Sequence, residues 1–349
     1  MKKVGILGAG AWGTAIGKSI AENGHDVELW SFEQSVADEI NERHKNSLYL
    51  PDVELPTKLR ATTSILTAAT EKDFLIVATP SLFTLDAVKA VLTAPNIVEG
   101  ETQIGVVTKG FITQKKRVRL IVETLEDYLP GFYKGNIVYI SGPSHAEEVA
   151  RGKLTGLISA SANPKNSIRF RQLLNSPSVV VFSSLDVIGV QVCAAVKNVI
   201  AIAFGILDAL KERSEPIFGD NTESLLLAAG LNEIQSIGIA LGSTHPETFT
   251  SIAGVGDLDV TCRSPYGRNR RFGRDVVLKN VIEPYGTIQE VQDSIKKIGY
   301  LPEGLFAVQA AREIAEKHRL KLRIVGGVYR ILNREAEPDD EIRRILTTR

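Results

Sequence analysis

The chain has 349 residues, more than a single hydrophobic core usually serves, with 44% hydrophobic and 23% charged residues. This composition suits two folded domains and excludes a disordered chain. Lys plus Arg balance Asp plus Glu at 41 each. That balance gives no global attraction to nucleic acid or to a membrane surface, so any anion site must be a local cluster.

In chain order, residues 4–7 read as a short buried strand and residues 11–23 as a helix that Gly24 stops. Residues 27–30 read as a second strand, and further apolar runs lie at 74–78, 104–107 and 137–140. Helical patterns separate them near 33–43, 82–92 and 114–128. Two more strands are expected at 156–160 and 179–182, flanking a helix near 165–174. Strands alternating with helices predict a doubly wound, mainly parallel sheet of the Rossmann-like α/β type. Beyond Ser184 the strand-like runs vanish and helical patterns dominate. The expected division is a dinucleotide-binding domain at 1–185 and an all-α substrate-binding and catalytic domain at 186–349.

Residues 187–207 contain one charge, Lys197, and are long enough to cross a bilayer. Gln191, Lys197 and Asn198 fall near the middle, where charge is costly in lipid. A buried core helix is therefore expected, with no integral membrane segment. Lys2 and Lys3 before an apolar stretch faintly mimic a signal peptide, but the glycines that follow are placed for nucleotide binding and no cleavage site is evident. A cytoplasmic protein is expected. Cys193 and Cys262 form no CxxC pair, so no metal site is expected.

Gly8-Ala9-Gly10-Ala11-Trp12-Gly13 follows a strand and opens a helix. In that context Gly8 permits the tight turn, Gly10 the approach of backbone to a pyrophosphate, and Gly13 close packing of helix on sheet. The second strand ends in Trp30-Ser31-Phe32-Glu33. Glu33 either binds a ribose hydroxyl or starts the next helix, so NAD and NADP both stay open. Lys197 requires a reason to be buried: a partner, an emerging side chain, or a proton-exchanging role near a cofactor. Residues 254–262 form a glycine-flanked run containing Asp257, followed by Gly267-Arg268-Asn269-Arg270-Arg271. That basic cluster is either a solvated loop or a phosphate site, since a guanidinium offers paired donors to phosphate oxygens. Thr108-Lys109-Gly110 and Ser141-Gly142-Pro143-Ser144-His145-Ala146 each follow an expected strand, where ligands of parallel sheets bind. His145 has no accompanying catalytic spacing, and Lys197 is the preferred acid/base.

Taken together, the chain resembles the bacterial-type NAD(P)-dependent glycerol-3-phosphate dehydrogenases almost end to end. The resemblance rests on GAGAWGTA at 8–15, Tyr49-Leu50-Pro51, Thr108-Lys109-Gly110, Gly142-Pro143-Ser144, Val196-Lys197-Asn198, GVGDLDVTC at 254–262 and GRNRRFG at 267–273. It implies reversible hydride transfer between NAD or NADP and dihydroxyacetone phosphate, giving sn-glycerol 3-phosphate for glycerophospholipid synthesis, in a homodimer. It also implies that Lys197 is the general acid/base, with Lys109 and Asp257 completing the catalytic group. Substrate would be held by Lys109, Gly142, Ser144, Lys197, Asn198, Asp257, Thr261, Gly267, Arg268 and Asn269. Cofactor would be held by Gly8, Gly10, Ala11, Trp12, Gly13, Phe32, Lys109, Ala146, Arg268, Leu301 and Glu303. Two positions depart from many relatives: Phe32 stands where they carry Arg, and Gly267 where they often carry Ser. The first removes a partner for a 2′-phosphate; the second removes a hydroxyl contact to the substrate phosphate. Two other readings share the dinucleotide loop. A β-hydroxyacid dehydrogenase would set Lys and Asn one helical turn apart, not adjacent, and a dinucleotide sensor would not need a buried lysine.

Overall fold

The computed structural model describes residues 1–114, 117–213 and 218–347. They form two compact units: Met1–Ile112 with Arg119–Val187, and Thr113–Val118 with Ile188–Arg349. The second unit is thus discontinuous in sequence, which a division at 185/186 does not anticipate.

The first unit runs β1 (Lys3–Leu7), α1 (Ala11–Glu22), β2 (Asp26–Trp30), α2 (Gln34–Arg43), β3 (Leu59–Thr62), α3 (Ile65–Ala69), β4 (Phe74–Val77), α4 (Ser81–Ala90), α5 (Pro95–Val98) and β5 (Gln103–Val106). A short ribbon follows, β6 (Ile112–Gln114) and β7 (Arg117–Arg119), then α6 (Ile121–Glu126), β8 (Val138–Ser141), α7 (Ala146–Ala150), β9 (Thr155–Ala160), α8 (Pro164–Leu174) and β10 (Val179–Ser184). The main sheet has eight strands in the order β10-β9-β8-β5-β4-β1-β2-β3. Every pairing is parallel except β8 with β9. β1 and β4 are buried along almost their whole length, as a sheet covered on both faces requires. The order reverses beside β1, with β2 on one side and β4 on the other, and such a switch point opens a crevice at the strands' carboxyl ends.

Two expectations are corrected here. Among the described residues, the helix expected over 114–128 is confined to Ile121–Glu126; residues 115 and 116 lie outside them, and Ile112, Thr113 and Val118, all β-branched, lie in the ribbon instead. β3 went unnoticed because Leu-Arg-Ala-Thr is too short and too polar to show a period.

The second unit contains α9 (Val187–Arg213), α10 (Asp220–Ala240), α11 (Glu247–Thr250), α12 (Asp257–Arg263), α13 (Arg268–Leu278), α14 (Ile288–Asp293), α15 (Ile295–Ile298), α16 (Gly304–His318), α17 (Arg323–Leu332) and α18 (Pro338–Thr347). A single π turn, Ile252–Gly256, leads into α12. Apart from the ribbon residues, no strand occurs in this unit among the described residues. α9 passes the length and hydropathy test for a membrane span, yet 89% of its most apolar window is buried. Its residues from Gly189 to Leu210 are buried on all sides, which is the pattern of a central core helix.

α9 and α13 touch backbone to backbone. A Cβ on Gly205 would sit 1.9 Å from the Arg270 carbonyl oxygen, and one on Gly273 would sit 2.1 Å from that of Ile202. Pairs of charged side chains flank the crossing: Arg270 with Asp208, and Arg274 with Glu212 at 2.7 Å. Main chain cannot yield as a flexible side chain can. Gly205→Ala is therefore expected to cost about 2 kcal/mol or more, seen as a lower denaturant midpoint; an unchanged midpoint would show that the helices can separate freely.

Candidate active site

Within the first unit, parallel pairing brings the loops after β1, β4, β5 and β8 to one edge of the sheet. Gly8 has φ +126°, and a Cβ there would press on the Ala78 carbonyl at 2.9 Å. A Cβ on Gly13 would lie 1.9 Å from the Gly8 carbonyl oxygen, so only glycine lets α1 start this close to β1. Gly10, the N-cap of α1, faces open space where a Cβ would stand, and no side chain caps the helix. The first-turn N–H groups, from Ala11 and Trp12 onward, have no intrahelical acceptors. No acidic residue lies in that turn to compete for them. An open, uncapped helix start with a glycine at its lip fits a pyrophosphate.

Asn46 holds this loop. Its amide is 1% exposed and donates to the Ala9 carbonyl at 2.8 Å, and lies 2.8 Å from the Thr14 hydroxyl. Nothing in the sequence marks Asn46, since a lone asparagine after a helix reads as a turn residue.

At the end of β5, Lys109 reaches across to the neighbouring β8 loop. Its Nζ donates to the Gly142 carbonyl at 3.2 Å and lies 3.4 Å from the Ser144 hydroxyl. Gly142 has φ +116°, and Ala146 begins α7 and is buried. Phe32 stands apart from these residues, past β2, and is 84% exposed. Glu33 is the N-cap of α2, but its carboxylate does not cap the helix. It accepts instead from the Tyr49 hydroxyl at 2.7 Å.

In the second unit, Lys197 is buried in mid-α9, and its Nζ pairs with Asp257, whose side chain is fully buried. The same Nζ donates to the Thr261 hydroxyl at 2.8 Å, and that hydroxyl donates to the Asp257 carbonyl at 2.6 Å. The π turn delivers Asp257 to the start of α12, and Thr261 follows one helical turn later. Such wide turns recur at functional sites. Lys197 thus has the buried partner that one sequence reading required.

Its neighbour Asn198 begins a second chain of contacts. Asn269 donates to the Asn198 side-chain oxygen at 2.9 Å and accepts from the Gly304 N–H at 2.9 Å. This links α9, α13 and the start of α16, which Leu301 and Glu303 precede. The basic cluster divides by role. Arg270 is tied to Asp208 and donates to the Arg263 carbonyl at 2.7 Å. Arg271 lies over the Tyr300 ring at 4.5 Å. Arg268, at the first position of α13 after the buried Gly267, is exposed, and its side chain has no hydrogen bond or ion pair among the described residues.

Removing one member of a buried pair strands the other's charge. Asp257→Leu alone is expected to destabilise by about 3–5 kcal/mol, while adding Lys197→Met to it recovers most or all of that loss. A double-mutant cycle by denaturant unfolding reads the coupling; strictly additive losses would argue against the pair.

Residues 3–167 match the family model for the N-terminus of NAD-dependent glycerol-3-phosphate dehydrogenase, and residues 186–343 the model for its C-terminus. The chain is 54% identical to glycerol-3-phosphate dehydrogenase (NAD(P)+) of Treponema denticola, over 99% of this chain and 98% of that relative. It is 52% identical to the enzyme of the same name from Treponema pallidum, over 99% of each. A crystal structure of glycerol-3-phosphate dehydrogenase from Coxiella burnetii superposes with a TM-score of 0.84 at 32% identity, covering 99% of both chains. With both of its units accounted for, this chain belongs to the NAD-dependent glycerol-3-phosphate dehydrogenase family.

Proposed function

We propose that this chain catalyses the reversible reduction of dihydroxyacetone phosphate to sn-glycerol 3-phosphate with NADH or NADPH, and that Lys197 is its proton donor. The reaction is that of the family. The observation that carries the residue assignment is the buried Lys197–Asp257–Thr261 cluster, joined through Asn198 and Asn269 to an exposed, uncommitted Arg268.

Gly8, Gly10, Ala11, Trp12 and Gly13 hold the cofactor's pyrophosphate, with Ala146, Leu301 and Glu303 as further contacts carried over from the resemblance. A nicotinamide bound there would supply the hydride for the carbonyl carbon. Lys197 gives a proton from Nζ to the carbonyl oxygen as the C=O π bond opens, leaving an alcohol and a neutral amine that regains its proton from water. Its positive charge stabilises the oxygen as negative charge develops there. Asp257 and Thr261 fix Nζ in one place, so little reorganisation accompanies the transfer. Lys109, anchored on the Gly142 carbonyl and close to Ser144, is carried over from the resemblance as a further catalytic and substrate-binding residue.

Arg268 clamps the substrate phosphate with paired donors. Asn269 uses one amide N–H and its oxygen to brace α9 and α16, which leaves its second N–H for the same phosphate. The Gly267 backbone N–H stands where a serine would add a hydroxyl. A homodimer is inferred from the resemblance alone, and sedimentation equilibrium tests it.

NADH or NADPH oxidation with dihydroxyacetone phosphate tests the assignment. Lys197→Ala is expected to lower kcat by about 10³-fold or more while cofactor still binds; unchanged turnover would refute the role. Arg268→Ala is expected to raise KM for dihydroxyacetone phosphate by about 10²-fold and to leave phosphate-free dihydroxyacetone unaffected. An equal loss for both ketones would argue against a phosphate clamp.

A further inference from the structure

We infer that Glu33, held by Tyr49 and Ser31 at the carboxyl end of β2, selects NAD(H) and rejects NADP(H). The inference rests on the assignment of the glycine loop to a dinucleotide.

Position comes first. Leu7 pairs in register with Trp30, and the Gly8 N–H donates to the Trp30 carbonyl at 3.1 Å. The end of β2 is therefore fixed beside the pyrophosphate loop. Glu33 lies about 20 residues past the last loop glycine, the spacing at which an acidic side chain meets the adenosine ribose in this fold.

Commitment comes second. Starting α2 explains why the chain turns at Glu33, but it does not use the carboxylate, which makes no capping bond. The Tyr49 hydroxyl donates to Oε1 at 2.7 Å, and the Ser31 hydroxyl lies 3.4 Å from Oε2 and 3.0 Å from the Glu33 carbonyl. Burial, with the Glu33 carboxylate beside it, pushes the Tyr49 phenol up to about 12, so Tyr49 remains a donor across the physiological range. A carboxylate has about four acceptor sites, so Glu33 keeps capacity for the two ribose hydroxyls while its orientation is fixed. No lysine or arginine forms an ion pair with it among the described residues.

Charge then decides. A phosphate monoester carries roughly −1.5 to −2 at pH 7. At the 2′ position it would meet a fixed, unneutralised carboxylate, and it would replace a hydroxyl donor with acceptors only. Phe32, the neighbouring exposed residue, has no charge to compensate.

The same segment that bears Tyr49 also bears Asn46, whose amide holds the Ala9 carbonyl. One short stretch after α2 thus positions both the pyrophosphate loop and the carboxylate that reads the ribose.

The test is equilibrium binding of NADH and NADPH without substrate, followed by fluorescence of the bound reduced nicotinamide. The unmodified chain is expected to bind NADPH about 10- to 100-fold more weakly than NADH. Glu33→Gln should narrow that gap to a few-fold, chiefly by improving NADPH binding. Tyr49→Phe should weaken NADH binding several-fold and still exclude NADPH, because the charge remains. Affinities for the two cofactors within about threefold in the unmodified chain, or an unchanged ratio in Glu33→Gln, would overturn the selection. Binding of neither would overturn the loop assignment with it. A chain that prefers NADH yet fails to reduce dihydroxyacetone phosphate would support this selection and count against the proposed reaction alone.

Discussion

The Lys197–Asp257 pair is the constraint around which the helical unit is arranged. An ammonium in the middle of a helix buried on every side cannot stay charged without a partner. The partner must come from a different element, and here the π turn before α12 brings it. A well-packed apolar pair would be at least as stable in that position, because the cost of desolvating two ions offsets most of their attraction. Stability alone therefore does not explain a buried ion pair at the centre of this core. Thr261 completes the arrangement by donating to the Asp257 backbone while accepting from Nζ, so the lysine's orientation is set from both ends of one helical turn.

The sheet unit works by a different economy. The groups it presents there are mostly backbone, placed where parallel strands end together. Glycines at 8 and 13 admit contacts that any side chain would block, and Asn46 fixes the Ala9 carbonyl from outside the loop. Lys109 and the Gly142–Ser144 turn meet because β5 and β8 are neighbours in the sheet, although more than thirty residues separate them in sequence. The sequence order of these motifs does not show that adjacency; strand order does.

Much of this was legible from the residues. A glycine triplet between a strand and a helix has few physical explanations, and a lone lysine in a long apolar run demands one. The ribbon of Ile112–Gln114 and Arg117–Arg119 was not legible, because a few β-branched residues beside a helical pattern are outvoted in any window long enough to show a period. The separate roles of Arg268, Arg270 and Arg271 were equally hidden. Adjacent arginines look alike in sequence, and only the positions of Asp208 and Tyr300 show that two of them are occupied. Asn46 escaped for the same reason, and Tyr49 entered only through the resemblance, without a role: each acts through a partner distant in the chain.

The glycine crossing of α9 and α13 has one more consequence. With no side chains between the two backbones, the distance from Lys197 to the first turn of α13 is fixed by main chain and not by rotamers. In the proposed mechanism, the proton donor and the phosphate-binding end are two marks on one ruler. Substitutions in the first turn of α13 can then change which head group is gripped without changing where the ruler places the carbonyl. On that assignment, substrate choice and proton transfer become separable properties of a single rigid joint.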